Sequence, residues 1–310
     1  MIMNITGLLK DYKLINIQET RGIGHGDSLS VKVVIPCYCQ AKCKFCFNKL
    51  TQATQQHNYE EFFNNLVKSL DLIVENLTDK RNISLDITGN EPTFDIEIFK
   101  KFLNIIAPYK KYFNKVVMTT NGFHLKELVP YMKDVIDIVN ISIHHYDYDE
   151  RMDIFGTRLI PNNDELKTLV NNLNDNNITV TAVTVLYKEY DNDFRKFFDN
   201  FTFWAKDLGF KDVRMRSNFY SNDPWIDKIL YDIHIEEESL NSVNALTTKI
   251  IKDKRNGYET RILKGVESIL KYVIGPELVI DDDGMLYVDY NKKYSIDEKT
   301  INIFENIYVK

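Results

Sequence analysis

All four cysteines of the chain fall within one run of ten residues, CYCQAKCKFC (37–46). A soluble protein does not fill a core that way. In a reducing compartment such a cluster points to metal binding or catalysis before disulfides. Two metal chemistries compete for it. A structural zinc wants four ligands in a tetrahedron, usually as two separated pairs. Here the pairs would be Cys37/Cys39 and Cys43/Cys46, with three residues between them. So short a loop can hardly present four sulfurs from opposite sides of one ion. An iron–sulfur cube has a larger perimeter, and a tight loop can reach three of its corners. The spacing Cys39-x3-Cys43-x2-Cys46 does this and leaves Cys37 over. Three protein ligands leave one iron open, and an open metal position is where chemistry happens.

The elements that must carry this loop are legible from periodicity. β-rich runs occur at 29–35 (LSVKVVI), 83–88, 115–120, 138–144, 178–186 and 211–216. Helical patterns lie between them, at 59–77 with Phe62, Leu66, Leu70 and Ile73 on one face, and at 95–108, 124–133, 162–175 and 192–208. Gly209 stands where the last of these would end. Strand–helix repetition at this spacing predicts an α/β fold with a parallel sheet and right-handed crossovers. After Arg216 the repetition stops. Residues 222–254 read as mostly helical, and ELVIDDDGMLYVDYN (277–291) reads as a hairpin turning at Asp283-Gly284. RGIGHGD (21–27) precedes the first strand, so the dinucleotide-binding context is missing and a flexible loop is the better reading. Three segments result: an N-terminal extension (1–28), a core (29–217) and a decorated C-terminal part (218–310).

Composition bounds the function classes. With 310 residues, 44% hydrophobic and 27% charged, the chain reads as an ordinary soluble globular protein. A net charge of −6 gives no basic footprint, so nucleic acid is not an expected partner. No apolar run reaches the length of a membrane span. The first twenty residues lack the pattern of a signal peptide, so a cytoplasmic location is expected.

With these residues in view, the chain resembles the radical S-adenosylmethionine (radical SAM) superfamily. CxxxCxxC after the first strand, with Phe45 before the last cysteine, resembles the family's cluster motif. ITGNEPTF (87–94) resembles its GGEP motif, with Asn90 in place of the second Gly. MTTNG (118–122) resembles its TNG segment, VNISIHHYD (139–147) its fourth-strand segment, and LGFKDVRMR (208–216) its run into the sixth strand. The similarities are in order and cover about 29–217. They resemble the MoaA-like and SPASM-like core, without the auxiliary-cluster cysteines: no cysteine follows Cys46, which excludes an auxiliary cluster by count.

The resemblance implies a partial (β/α)6 TIM-like barrel of parallel strands, with C-terminal helices and a β-hairpin. It implies one oxygen-sensitive [4Fe-4S] cluster on Cys39, Cys43 and Cys46, with S-adenosylmethionine (SAM) chelating the open iron. Reductive cleavage of SAM would give a 5′-deoxyadenosyl radical that abstracts hydrogen from substrate. The cofactor-binding set would be Phe45, the turn Gly89, Asn90, Glu91 and Pro92 (its carbonyls on the SAM ammonium group), Thr120, Asn121, Ser142, Arg214 and Arg216. Asn90 departs from the family, but Asn tolerates left-handed backbone better than most residues. Glu91 would bond locally and hold the loop in shape. Asn121 would contact SAM or cap the next helix. Strand alternation puts Ser142 and His144 on one face. His144 and His145 are the candidate catalytic residues, able to bind a substrate anion or move a proton, against loop histidines that bond only to backbone. Arg214 and Arg216 share a face and suit the SAM carboxylate or an anionic substrate, one of them solvated in the plainer reading. The hairpin is either a cover for the open barrel or an edge decoration. Tyr287, Tyr290 and Tyr294 read as packing.

The leading function is hydrogen abstraction from a small polar metabolite, followed by rearrangement, dehydration or a related step. A reductant such as flavodoxin or ferredoxin would be the partner. Modification of a ribosomal peptide or RNA, nucleotide dehydration of the viperin-like kind, and a non-enzymatic metal-binding protein stay open as alternatives.

Overall fold

Val31, Val33 and Ile35 are buried every second residue along the first strand, and the same alternation repeats at Leu85 and Ile87, Val116 and Met118, and Val139 and Ile141. These side chains join Phe62, Phe99, Leu128, Leu166 and Phe201 from the helices in one hydrophobic core. A strand turns alternate residues to opposite faces, so one face of the sheet is committed to helices and the other carries what remains. What remains is polar in large part: Lys32, Asp86, Thr119, Asn140 and Thr181.

The computed structural model describes residues 29–43, 45–46, 58–76, 83–186, 194–217, 248–253, 258–263 and 277–287. Ten strands form one sheet: β1 (Leu29–Ile35), β2 (Ile83–Gly89), β3 (Lys115–Thr120), β4 (Ile138–Ser142), β5 (Thr179–Leu186), β6 (Asp212–Ser217), β7 (Thr248–Asp253), β8 (Tyr258–Leu263), β9 (Glu277–Ile280) and β10 (Leu286–Tyr287). Strands β1 to β6 lie in chain order and pair parallel throughout. Between them run α1 (Tyr59–Asn76), α2 (Ile96–Ile106) with a 3₁₀ extension (Ala107–Tyr112), α3 (Leu125–Met132), α4 (Tyr148–Phe155), α5 (Asn163–Asp175) and α6 (Phe194–Asp207). This is the expected α/β partial barrel, in which loops after the strands all open at one end. Parallel β/α units build active sites at that end.

The helix limits have local causes. Asp95 caps α2 by accepting from the N–H groups of Glu97 and Ile98, and a capping box of Asn162 and Glu165 starts α5. Gly209, at φ 89°, stops the chain beyond α6 as its position in the sequence suggested.

Two departures follow Arg216. Residues Thr248–Asp253, expected to be helical, are β7, and with β8 they form an antiparallel pair beside β6. The IleIle centre of this run suits a strand as well as a helix, and pairing decided it. The hairpin at Asp283-Gly284 is present as β9 and β10. It extends the sheet: β9 pairs parallel with β1, and the turn docks on α1 through Ser69 Oγ to the Gly284 carbonyl (2.7 Å) and Asn65 Nδ2 to the Asp283 carbonyl (3.0 Å). Edge extension is therefore the reading it supports. A Cβ on Gly284 would stand 2.3 Å from the Phe62 carbonyl oxygen. The 1–28 extension with its RGIGHGD loop, the expected helices in 222–247, and Tyr290 and Tyr294 lie outside the described residues.

Candidate functional site

Four of the marked segments meet at the C-terminal ends of β1 to β4. Their centre is Glu91, 1% exposed. Its Oε1 accepts from the Thr93 N–H (3.1 Å), the Thr93 hydroxyl (2.6 Å) and the Thr120 hydroxyl; its Oε2 accepts from the Asn121 N–H (2.7 Å). The Thr93 hydroxyl also reaches the Phe123 carbonyl. Burial pushes the Glu91 carboxyl up from its ordinary range, while the two hydroxyls and two N–H groups pull it back. Glu91 thus does more than shape its own turn: it ties the GNEP turn after β2 to the TTNG turn after β3.

Gly89 begins the first of these turns at φ 134°, in register with Ile35, and a Cβ there would lie 2.8 Å from the Ile35 carbonyl oxygen. The left-handed backbone belongs to Gly89 and not to Asn90, whose φ is not positive. Asn90 has another task, donating its amide to the Cys37 carbonyl (2.8 Å). Pro92 is buried beside it.

The cysteine loop leaves β1 between these turns and α4. None of its four thiols forms a disulfide. Cys37 is 2% exposed, its Sγ bonds back to the Ile35 carbonyl (3.2 Å), and burial pushes its thiol far up. Cys39, Cys43 and Cys46 are all half-buried. Burial lifts the Cys39 thiol to about 11, against the pull of the Ala41 N–H (3.4 Å) and the Asn121 amide (3.6 Å) on its sulfur. Cys43 and Cys46 are joined by a turn, Cys46 N–H to the Cys43 carbonyl (3.1 Å). Among the described residues no three His, Cys, Asp or Glu side chains converge as one metal ion would require. Three soft, partly exposed thiols spread along one loop fit the wider perimeter of an iron–sulfur cube better than a mononuclear centre.

The far side of the loop rests on α4. Lys42 N–H donates to the Phe155 carbonyl (2.6 Å), and Ala41, Phe155 and Ile160 form a small separate core with Cys39, Cys43 and Met152 against it. Gly156, at φ 62°, ends α4 with Lys42 Cβ 3.2 Å from where a Cβ would be. Arg151, 2% exposed, runs through this region, donating to the carbonyls of His145 and Pro161 and to Asn163 Oδ1. It lies over the rings of Tyr148 and Trp204, and burial lowers its guanidinium to about 10. Neither α4 nor Arg151 was anticipated, although Asp147 as a cap and Gly156 as a stop were both present.

His144 does not continue β4. The strand ends at Ser142, and His144 adopts φ 66°. Its ring is buried, accepts the Val185 N–H at Nδ1 (3.1 Å), and is packed between Phe45 (centroids 4.8 Å, 77°) and Phe155 (4.8 Å, 40°). Burial lowers its pKa to about 3, so the imidazole is neutral with its hydrogen on Nε2. Phe45 therefore meets β4 through this ring. His145 is half-buried, accepts the Asp147 N–H at Nδ1 (3.0 Å) and stacks on Tyr146 (4.4 Å); burial lowers its pKa as well. Asn121 does not cap α3, whose cap is His124; its Oδ1 accepts the Phe123 N–H (3.0 Å) instead.

On the polar face, Ser142, Val183 and Arg214 stand in one cross-strand row. Arg214 Nε pairs with Asp212 two residues back (3.2 Å). Arg216 is on the same face of β6 by alternation; its side chain lies outside the described residues. Sequence reasoning missed Thr93, Gln40 and Arg151 here. Thr93 and Gln40 act through partners 27 to 119 residues away, a separation no local pattern reports.

Comparison with known proteins agrees with this geometry. The family model described as the Radical SAM superfamily matches residues 33–201. No curated protein sequence matches the chain. Among solved structures, the chain is similar to SuiB of Streptococcus suis bound to the precursor peptide SuiA, with TM-score 0.56, 14% identity, and coverage of 97% of this chain and 67% of that one. It is also similar to the enzyme anSMEcpe with bound AdoMet, with TM-score 0.57, 14% identity, and coverage of 90% and 80%. At these identities the likeness is one of fold.

Proposed function

The chain belongs to the radical SAM superfamily, and from that premise we propose that it abstracts a hydrogen atom from a polar small molecule. Family membership implies a [4Fe-4S] cluster and SAM; when bound, they supply reductive cleavage of SAM to the 5′-deoxyadenosyl radical. In our reading there is one cluster, held by Cys39, Cys43 and Cys46, with Cys37 outside the ligand set. The carbonyls of the Gly89–Pro92 turn receive the SAM ammonium group, and Thr120, Asn121 and Ser142 border the same space. His144 and His145 close it on the β4 side, and Arg214 and Arg216 offer positive charge to a carboxylate or an anionic substrate.

The observation that carries this reading is the Glu91 knot, which holds the GNEP and TTNG turns against each other and beside the cysteine loop. Radical chemistry needs such a site fixed in advance, because the protein contributes position and exclusion of water while the cofactor contributes reactivity. The polar sheet face supports a polar substrate. A flavodoxin- or ferredoxin-like protein would deliver the electron. No helix among the described residues is long and apolar enough to cross a membrane, and we place the protein in the reducing cytoplasm.

A second reading, modification of a peptide, draws support from the likeness to SuiB, whose structure contains a peptide. The test begins with anaerobic reconstitution with iron and sulfide, then dithionite and SAM. 5′-Deoxyadenosine should form, and Cys39→Ala should abolish it. Absence of product from a fully loaded wild-type protein would refute the reading. Deuterated metabolites and deuterated peptides, compared for label reaching 5′-deoxyadenosine, separate the two substrate classes.

A further inference from the structure

Asn121 and Gln40 form a reciprocal amide pair beside Cys39. Gln40 Nε2 donates to Asn121 Oδ1 (3.0 Å), and Asn121 Nδ2 reaches Gln40 Oε1 (3.4 Å) and Cys39 Sγ (3.6 Å). Amide orientation is normally ambiguous, but fixed backbone groups settle both side chains here. The Phe123 N–H can only donate, so the atom of Asn121 facing it is the oxygen (3.0 Å). The Leu159 carbonyl can only accept, so the atom of Gln40 facing it is the nitrogen (3.1 Å). The remaining Asn121 N–H therefore has Cys39 sulfur and the Gln40 carbonyl in front of it. The Asn121 backbone is held in turn by the buried Glu91 carboxylate (2.7 Å). Cys39 sulfur already takes one backbone hydrogen bond, from Ala41 (3.4 Å).

Resting on the reading of Cys39 as a cluster ligand, we propose that Asn121 is a positioning residue for the cluster: its amide hydrogen-bonds Cys39 sulfur, raises the reduction potential, and is locked in place by Gln40. The physical reason is charge. Reduction adds an electron whose density falls partly on the ligand sulfurs, and an N–H aimed at a sulfur stabilises the more negative state. This role differs from a contact with SAM, because it acts on the cluster when SAM is absent.

The test is a redox titration of the reconstituted cluster without SAM, followed by electron paramagnetic resonance, with iron content measured in each sample. Asn121→Ala should keep its iron and shift the midpoint to more negative potential. At a fixed poise near the wild-type midpoint, the ratio of reduced to oxidised cluster should fall about fivefold, as expected for one hydrogen bond of ordinary net strength. Gln40→Leu, which leaves Asn121 in place but unlocked, should shift in the same direction by less. Asn121→Asp should shift at least as far as Asn121→Ala, because it replaces the donor by a negative charge. Equal midpoints in wild type and Asn121→Ala, both fully loaded, would overturn the proposal and leave the cluster reading intact. Should Asn121→Ala fail to hold iron, Gln40→Leu decides, and an unshifted midpoint there overturns it. A wild-type protein that assembles no cluster would refute the reading beneath.

Discussion

The two sides of the site are built by different means. The GNEP and TTNG turns close around a buried carboxylate that takes four hydrogen bonds, and each partner is itself buried. The cysteine loop, a few residues away, keeps three thiols half-exposed and takes its shape from groups lent by other segments: the Asn90 and Asn121 amides, the Phe155 carbonyl and the His144 ring. The first region is preorganised by folding. The second is a frame whose reactive atoms stay available for a group the polypeptide does not contain. The difference predicts that damage to the turns will appear as lost stability, and damage to the loop as lost cluster with stability retained.

The largest effect should come from Glu91→Leu, which strands two hydroxyls and two N–H groups. About 4 kcal/mol of unfolding free energy should go, read by urea denaturation of the cluster-free protein. A loss under about 1 kcal/mol would mean the turns hold without their knot. Next, Gly89→Ala places a methyl against the Ile35 carbonyl at a φ that L residues avoid, and should cost about 2 kcal/mol by the same measurement. Retained stability there would show that the turn tolerates a shift.

His144 links the two regions, and its signature is a pH dependence. Its ordinary pKa of 6.5 falls to about 3 in the fold, so between those values the unfolded chain carries a proton that the folded chain lacks. The His144 contribution is complete above pH 6.5 and is lost as pH falls toward 3, with a slope of up to about 1.4 kcal/mol per pH unit. His144→Gln should flatten the stability profile in that window. An unchanged slope would place the acid sensitivity elsewhere. The smallest effect is that of Asn90→Ala, which removes one bond to the Cys37 carbonyl and should cost about 1 kcal/mol.

How much of this the sequence revealed depends on range. Strand limits fell within about two residues because Val31, Val33 and Ile35 alternate against a single helix layer, and burial of that face leaves little choice of register. The hairpin at Gly284 announced itself by Asp-Gly. Helix α4 was missed because YDERMDIF has hardly any apolar stripe; it is recruited by the cysteine loop, a tertiary cause that periodicity does not carry. The strand was read through to His144 because alternation continues there on paper, whereas the buried ring and the left-handed backbone end it. Asn90 was given a backbone reason when it has a side-chain one. Glu91 was seen as local because Thr120 and Asn121 are 29 and 30 residues away.

The comparison narrows to two cysteines two residues apart, one buried against the Ile35 carbonyl and one held by N–H groups at the open loop. The most direct test of the account is to reconstitute Cys37→Ser and Cys39→Ser side by side and measure iron content and 5′-deoxyadenosine. Cys37→Ser should keep its iron and form product, and Cys39→Ser should do neither. Loss of the cluster in Cys37→Ser with retention in Cys39→Ser would contradict the assignment of ligands and, with it, the site built around them.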